Sequence, residues 1–428
     1  MKILLITSLL FVSSFGFALS PQPAESQKDA VVYHNATLHI GNGKVLKNAT
    51  IAFENGKITQ VGYFKMAWKK SDIDLKGQHV YPGFILPITN LGLNEVGAIK
   101  ATKDDVETGS MNANVRAIVA YNTDSEVTPT LKFNGVLLAQ ITPKGGLVSG
   151  LSSVVQLDAW NWEDALISSD DAVHVNWPSS QKYAFDFSTF TVKLKENKEY
   201  AKQIEEIKTL FKDAKASLHK QNGQVNIKLD AVTPVFTGSR AVYIHASSPK
   251  SIVESINFFK SMGVKNLVLV SEQAMEPVIG FIKQSGVPVI VESAHTLPDQ
   301  SDRSVDSGYT IAVKLHQAGI LTGLAYNSGM MMKARNLGFA VGTLVAYGLE
   351  KNEALKLITS NTAEILGIDA AYGTLEVGKS ATLFVSKGDA LDMRGNTLTA
   401  AYIDGRKLEL KGRQQELNQR FLKKYNLK

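Results

Sequence analysis

The sequence predicts an α/β protein: a (β/α)8 TIM-like barrel with a small discontinuous β-sandwich formed by the N- and C-terminal segments. Two observations carry this. From about residue 240, short apolar strands alternate with amphipathic helices, AVYIHA leading into SPKSIVESINFFKSMG and NLVLV into EQAMEPVIGFIKQSG. Strand-plus-helix units repeating every ~20–25 residues imply a parallel sheet, and in a long chain a closed barrel. Both flanks instead alternate with period two, as half-buried antiparallel strands do. A chain of 428 residues, 44% of them hydrophobic, exceeds one average domain and suits one large barrel with a small appendage.

The first element is MKILLITSLLFVSSFGFALS. Lys2 gives the positive start, Ile3 to Phe17 an apolar core and Gly16-Phe17-Ala18 a small-x-small cleavage site, so residues 1–18 read as a signal peptide. The core is shorter than the ~20 residues that span a bilayer, and no second apolar stretch follows, so no membrane span is expected. Zero cysteines excludes a lipidated cysteine, disulfides and thiolate metal sites. An exported, cysteine-free chain fits a bacterial periplasm. Residues 19–30, LSPQPAESQKDA, form a polar linker.

Residues 31–81 make the first part of the β-sandwich. Val32, His34, Ala36 and Leu38 alternate with their neighbours, and Asn42-Gly43 and Asn55-Gly56 supply the positive φ angles of tight hairpin turns. The barrel follows over 82–372. Within it, residues 194–220 place Tyr200, Ile204, Ile207 and Phe211 on one face, the pattern of an exposed amphipathic helix. Residues 373–410, with GTLEVGKSATLFVSKGDA and AAYIDGRKLEL, return to β and complete the sandwich. Residues 411–428 form a basic C-terminal helix expected to dock through Leu417, Phe421 and Leu422. Its cations are interleaved with amides and acids and the net charge is only +6, so no nucleic acid is expected as a partner.

Several of these stretches together resemble the amidohydrolase superfamily, in particular its secreted imidazolonepropionase-like branch. NATLHIGNGKVLKNATIAFENGKITQVG followed by DLKGQHVYPGFI is similar to the family's opening, and EALKLITSNTAEILGIDAAYGTLEVGKSATLFV with YIDGRKL to its close. LDAVTPVFTGSRAVYIHA in the middle also fits. The resemblance runs over nearly the whole chain beyond the signal peptide. It implies one or two divalent metals at the C-terminal mouth of the barrel, where they activate water and polarise a scissile carbonyl while a carboxylate takes the proton.

Position by position, the resemblance implies a metal site largely replaced. PGFI would lead into an Asp and a His-x-His pair, and here those places hold Leu86, Ile88 and Asn90. A bridging lysine after the glycine-rich loop would fall on Gln156, which cannot be carboxylated. The histidine ending a later strand is kept as His245, the next falls on Ser271, and the metal-binding Asp that serves as base falls on Asn327. Asn keeps the shape of Asp but accepts no proton at neutral pH. Catalytic zinc takes about three protein ligands, so His245 alone does not hold one.

The residues leave a second arrangement open. VESAHTLPD places Glu292, His295 and Asp299 in a loop after a barrel strand, and with His245 they would make a His/His/carboxylate mononuclear site. Against it, His295 reads as a hydrogen-bonded loop residue and His245 as a satisfied strand end. No cofactor is expected, and zinc enters only through this second arrangement. ITPKGGLVSGLSS reads as an anion cradle of backbone N–H groups or as a strand-to-helix loop close to the barrel mouth; it lacks the Gly-Lys-Ser/Thr of a P-loop. Asn90, Glu95, Asp104, Glu107, Asn122 and Asp124 read as a polar pocket or as solvated loops. The expected pocket mouth is Asn90, Gln156, His245, Ser271, His295 and Asn327.

Three functions follow. The first is a non-catalytic or weakly active member that binds a small-molecule or peptide-like ligand, or pairs with an active amidohydrolase homologue. The second is a hydrolase of C–N bonds in cyclic amides or small dipeptides, working through a reduced or metal-free site. The third is a structural partner that docks through the 194–220 helix. A homo-oligomer is compatible with each.

Overall fold

The computed structural model describes residues 22–64, 68–186, 188, 190–218, 225–298, 300, 302–327 and 331–427. The signal peptide read at 1–18 lies outside them. In chain order the first strands are β1 (Val31–His39), β2 (Val45–Glu54), β3 (Lys57–Gly62), β4 (Ile73–Asp74) and β5 (His79–Pro82). They are followed by β6 (Phe84–Thr89), β7 (Val136–Ile141), β8 (Val148–Gln156) and β9 (Leu166–Asn176). A separate hairpin, β10 (Gln181–Asp186) with β11 (Thr191–Glu196), precedes β12 (Ala241–His245), β13 (Leu267–Ser271), β14 (Val289–Val291) and β15 (Thr322–Leu324). The last three are β16 (Leu383–Ser386), β17 (Leu398–Ile403) and β18 (Arg406–Lys407).

Both chain ends build one sheet, in the order β18-β17-β16-β5-β1-β2-β3 with β4 beside β1. The ends meet where β16 runs antiparallel to β5, with Leu383 opposite Pro82. Tyr33, Leu38, Ile51, Phe53 and Leu383 fill its core. Asn55 and Gly56 make the expected two-residue turn, with φ of 50° and 76° and Glu54 facing Lys57. The Asn42-Gly43 turn is wider than expected, because the Ile40 N–H bonds to the Lys44 carbonyl around it. Gly41 must be a glycine there: at φ 91°, a Cβ would lie 2.6 Å from the Gly373 carbonyl oxygen.

The second sheet is the barrel, ordered β15-β14-β13-β12-β9-β8-β7-β6. All its pairs are parallel except those of β8, which runs antiparallel to both β7 and β9. Residues alternate across each strand. Ile85, Leu138, Ala172, Tyr243, Val268 and Ile290 fill the interior, while Leu86, Val173, Ile244 and Leu269 join the outer core beneath the helices. β15 and β6 share no ladder. They are joined through the segment between, where Leu324 N–H bonds to the Leu357 carbonyl and Ile85 N–H to that of Ile358.

Two expectations about helices change. Residues 191–196 belong to β11, and the helix runs Tyr200–Ser217. Its face is covered rather than exposed: Ile204, Ile207 and Phe211 are buried, with Phe211 set edge-on at 4.8 Å to Phe259 of the helix Pro249–Met262. The terminal helix Arg413–Lys424 forms but buries none of its residues, and Leu417 and Phe421 point into solvent.

The sandwich and barrel are joined by a polar cluster and an aromatic one. Asp158, at the end of β8, accepts from Lys132 Nζ at 3.0 Å, from Arg406 of β18 at 3.1 Å and from the Ala24 N–H at 2.8 Å. Lys132 and Asp158 are both only 5% exposed. Phe384 of β16 stacks on Tyr81 at 5.3 Å and sets edge-on to Phe84 at 4.9 Å.

A histidine pair within the sandwich sheet makes stability depend on pH. His39 Nε2 and His79 Nδ1 lie 2.9 Å apart, and His39 stacks on Tyr81 at 4.1 Å. Burial, then the neighbouring His79, push the His39 imidazole down to about 4. The unfolded chain takes up this proton near ~6.5, so His39 stability is present above that pH and is lost as pH falls towards 4. Asp171, on the barrel side, has the opposite sign. Burial pushes its carboxyl up to about 6, so its contribution grows as pH falls through the same window. The two shifts are of similar size and opposite sign. His39→Phe should separate them. Relative to wild type, its stability should improve by on the order of 3 kcal/mol between pH 7 and pH 4, read from urea unfolding at each pH. Parallel curves would show that His39 is not the titrating group.

Candidate functional site at the barrel mouth

Inward parity at the C-terminal ends of the strands decides which side chains meet. Tyr243, Ile290 and Ala325 point into the barrel, so the residues two further on, His245, Glu292 and Asn327, sit above them at the mouth. On β9, His174 follows inward Ala172 in the same way and is fully buried. The loop after β7 supplies Lys144.

These five form one chain of contacts. Lys144 Nζ donates to Asn327 Oδ1 at 3.2 Å, and Asn327 Nδ2 donates to Glu292 Oε2 at 3.0 Å. Glu292 Oε1 lies 3.5 Å from His245 Nδ1, and His245 Nε2 lies 2.9 Å from His174 Nδ1. Burial pushes the Glu292 carboxyl up, but His245, Asn327 and Lys144 together outweigh it and hold it below the ordinary glutamate range. Burial, then His245, holds His174 far below the ordinary histidine value, so it is neutral. Its Nε2 is buried without a hydrogen-bond partner in the structure.

The first barrel strand is irregular where the resemblance puts its histidine pair. Leu86 pairs with Ala139 and Thr89 with Ile141, three residues against two. Ile88 takes up the excess with φ 52°, a left-handed conformation unusual for a β-branched side chain. The bulge turns Ile88 inward, where it is buried in the interior apolar cluster. Asn90 faces the loops, and its Nδ2 donates to Asp105 Oδ2 at 2.6 Å. The Asp105 carbonyl in turn accepts from the Lys144 N–H at 2.6 Å. Asn90 therefore anchors the loop that carries Lys144.

Three of the expected mouth residues lie elsewhere. Gln156 ends the antiparallel strand β8, so it sits at the floor, where Arg406 Nη2 donates to its Oε1 at 3.2 Å. Ser271 shares the parity of outward Leu269, and its hydroxyl donates to the Ala246 carbonyl. His295 is exposed and turns to Thr343 Oγ1 at 2.8 Å and the Tyr326 hydroxyl at 3.4 Å, apart from His245 and Glu292. Asp299 lies outside the described residues. Of the polar early loops, Glu95 accepts from Ser125 at 3.0 Å. Two clefts of about 630 and 720 Å3 open at the floor, the first lined by Gln156, Trp160 and Arg406, the second by Asp171 and Arg240.

His174 and Lys144 escape a reading by resemblance. His174 had a signal in the alternation of DDAVHVN, and Lys144 sits in the glycine-rich loop already marked as a candidate anion cradle.

The donor set does not fit a catalytic zinc, which takes about three protein ligands. His245 and Glu292 meet, but His245 Nε2 is engaged by His174, and the ammonium of Lys144 brings its own positive charge to the mouth. Among the described residues, no three His, Asp or Glu side chains are gathered for a metal. What the arrangement offers is a fixed carboxylate, a cation held by an amide, and two imidazoles in contact, the inner one neutral. These are recognition elements for a small polar ligand bearing its own carboxylate or amide.

The sequence profile of the Amidohydrolase family matches residues 180–409. No curated protein matches the chain. Among solved structures, an amidohydrolase from Thermotoga maritima MSB8 is similar with a TM-score of 0.77 at 20% identity, over 89% of this chain and 99% of that one. A molinate hydrolase gives 0.53 at 13% identity, over 90% and 95%. A Xaa-Pro dipeptidase with bound methionine in the active site gives 0.51 at 14% identity, over 89% and 100%. At these identities the likeness concerns the fold.

Proposed function

Because the chain belongs to the amidohydrolase family, we propose that it is an exported member whose metal site has been replaced and which binds a small amide or peptide-like ligand without hydrolysing it. One observation carries the reading: Lys144 Nζ lies on Asn327 Oδ1 at 3.2 Å, with Glu292 next in line, so a side-chain cation stands beside the position that the resemblance gives to a metal-binding carboxylate. Ile88 supports it, since an aliphatic side chain packed into the interior donates nothing to a metal. The dipeptidase neighbour, with methionine in its active site, suggests the ligand class. Lys144 would pair with the ligand's carboxylate and Glu292 would accept from its amide or amino N–H. Export is read from the composition of residues 1–18, which supports a periplasmic location.

The test is the metal content of the chain purified without chelator or histidine tag. Expected is sub-stoichiometric metal, unchanged in His245→Ala. The triple substitution Ile88→His, Asn90→His, Asn327→Asp should raise uptake above the native chain. Stoichiometric zinc that His245→Ala removes would overturn the proposal in favour of a working mononuclear hydrolase. The ligand side is read by thermal shift with dipeptides, where Lys144→Ala should erase any stabilisation that wild type shows.

A further inference from the structure

The terminal helix Arg413–Lys424 leaves an apolar stripe without a partner. Leu417, Phe421 and Tyr425 follow one another at intervals of four, so they stack on one helix face. They are 38%, 55% and 60% exposed. The side turned to the body is a different one: the Gln415 amide oxygen is buried and Leu422 is half-buried. At the helix start, a Cβ on Gly412 would lie 3.2 Å from the Phe133 ring. Leu427, 62% exposed, extends the apolar edge past the helix end.

The edge of this stripe is cationic. Arg413, Arg420 and Lys424, at i, i+7 and i+11, line one side of it, and Lys423 lies close by. The helix holds these four cations against Glu416 alone. None of the four forms an ion pair among the described residues, although Lys424 lies over the Tyr425 ring at 5.5 Å.

We propose that this face docks the protein on an anionic lipid surface. A basic helix with a narrow aromatic and leucine stripe lies in the plane of a membrane interface, its apolar side entering the headgroup boundary and its cations meeting lipid phosphates. Charge complementarity selects the acceptor. A second copy of the chain, paired face to face about a two-fold axis, would set four cations against four. This attachment is peripheral, since no helix among the described residues is long and apolar enough to cross a membrane. It is independent of what the barrel mouth binds.

Co-sedimentation of the full chain with vesicles tests this. Wild type should pellet with vesicles of phosphatidylcholine mixed with phosphatidylglycerol, stay in solution with phosphatidylcholine alone, and be released by added salt. Leu417→Ser/Phe421→Ser should lower association by about tenfold or more, because the stripe's insertion is lost. Arg420→Glu/Lys423→Glu should abolish the preference for the anionic vesicles. Circular dichroism melting should be unchanged in both, as the altered side chains are exposed. Wild type that ignores anionic vesicles overturns the proposal, as does pelleting that the serine substitutions do not alter. Retention on immobilised poly-glutamate without vesicle binding would reassign the face to an acidic protein. A dimer in solution that Phe421→Ser dissociates would reassign it to self-association.

Discussion

Replacing Asp158 with alanine should destabilise the protein by about 3–5 kcal/mol, the range found when one partner of a buried ion pair is removed. The carboxylate is the only acid in contact with Lys132 and Arg406 among the described residues. Lys132 is 5% exposed, so its ammonium would be left in an apolar setting without compensation. The N–H of Ala24 would lose its acceptor, and with it the N-terminal segment would lose its tie to the barrel floor. Removing both charges is the informative control. Lys132→Met with Asp158→Leu should recover the part of the loss that the buried ammonium causes, because well-packed apolar residues replace a buried pair at little cost, while Arg406 keeps only its carbonyl and amide acceptors. Urea unfolding of the three proteins measures this. A loss below about 1 kcal/mol in Asp158→Ala would mean that water reaches the cluster and that it does not clamp the domains.

Phe384→Ala should cost a similar amount, about 3–5 kcal/mol, through lost burial and the cavity left behind. The ring is fully buried between Tyr81 and Phe84, the residues that carry the chain from the sandwich into the first barrel strand. Gly135 depends on the same ring. It sits at φ 86°, and a Cβ there would lie 2.5 Å from Phe384. Gly135→Ala should therefore be destabilising alone, but less so when Phe384 is already alanine, since the steric part of its cost has vanished. Simple addition of the two losses would show that backbone strain, and not the ring, fixes the glycine.

The architecture was legible because helix and strand periodicities differ and because each flank of the chain keeps its own. The direction of β8 was legible as well, by a signal that reading by resemblance passes over. Residues 142–147 are too few for a parallel crossover, which takes a dozen or more, so β8 had to return antiparallel. That single reversal moves Gln156 from mouth to floor. His245 and Asn327 could be placed from parity alone. Ser271 was misplaced because resemblance aligns a strand end without counting which side each residue faces, whereas parity puts it outside with Leu269. His295 failed for another reason: a loop residue turns to whichever partners tertiary packing supplies, here Thr343 and Tyr326. The amphipathy of the terminal helix is plain in its sequence, but spacing does not say which stripe meets the body.

The barrel's missing ladder has a consequence for the order in which the protein is made. β6 and β15 are bridged by Leu357 and Ile358, and β5 waits for β16 at residues 383–386. Neither sheet can be completed until the ribosome has passed those positions. The emerging polypeptide therefore carries two open edges for most of its synthesis, and both are sealed almost together by its final stretch. Unpaired edges of this kind invite pairing with another chain. A nascent chain arrested before residue 357 should thus be a client for holding chaperones, while one released past residue 403 should close by itself.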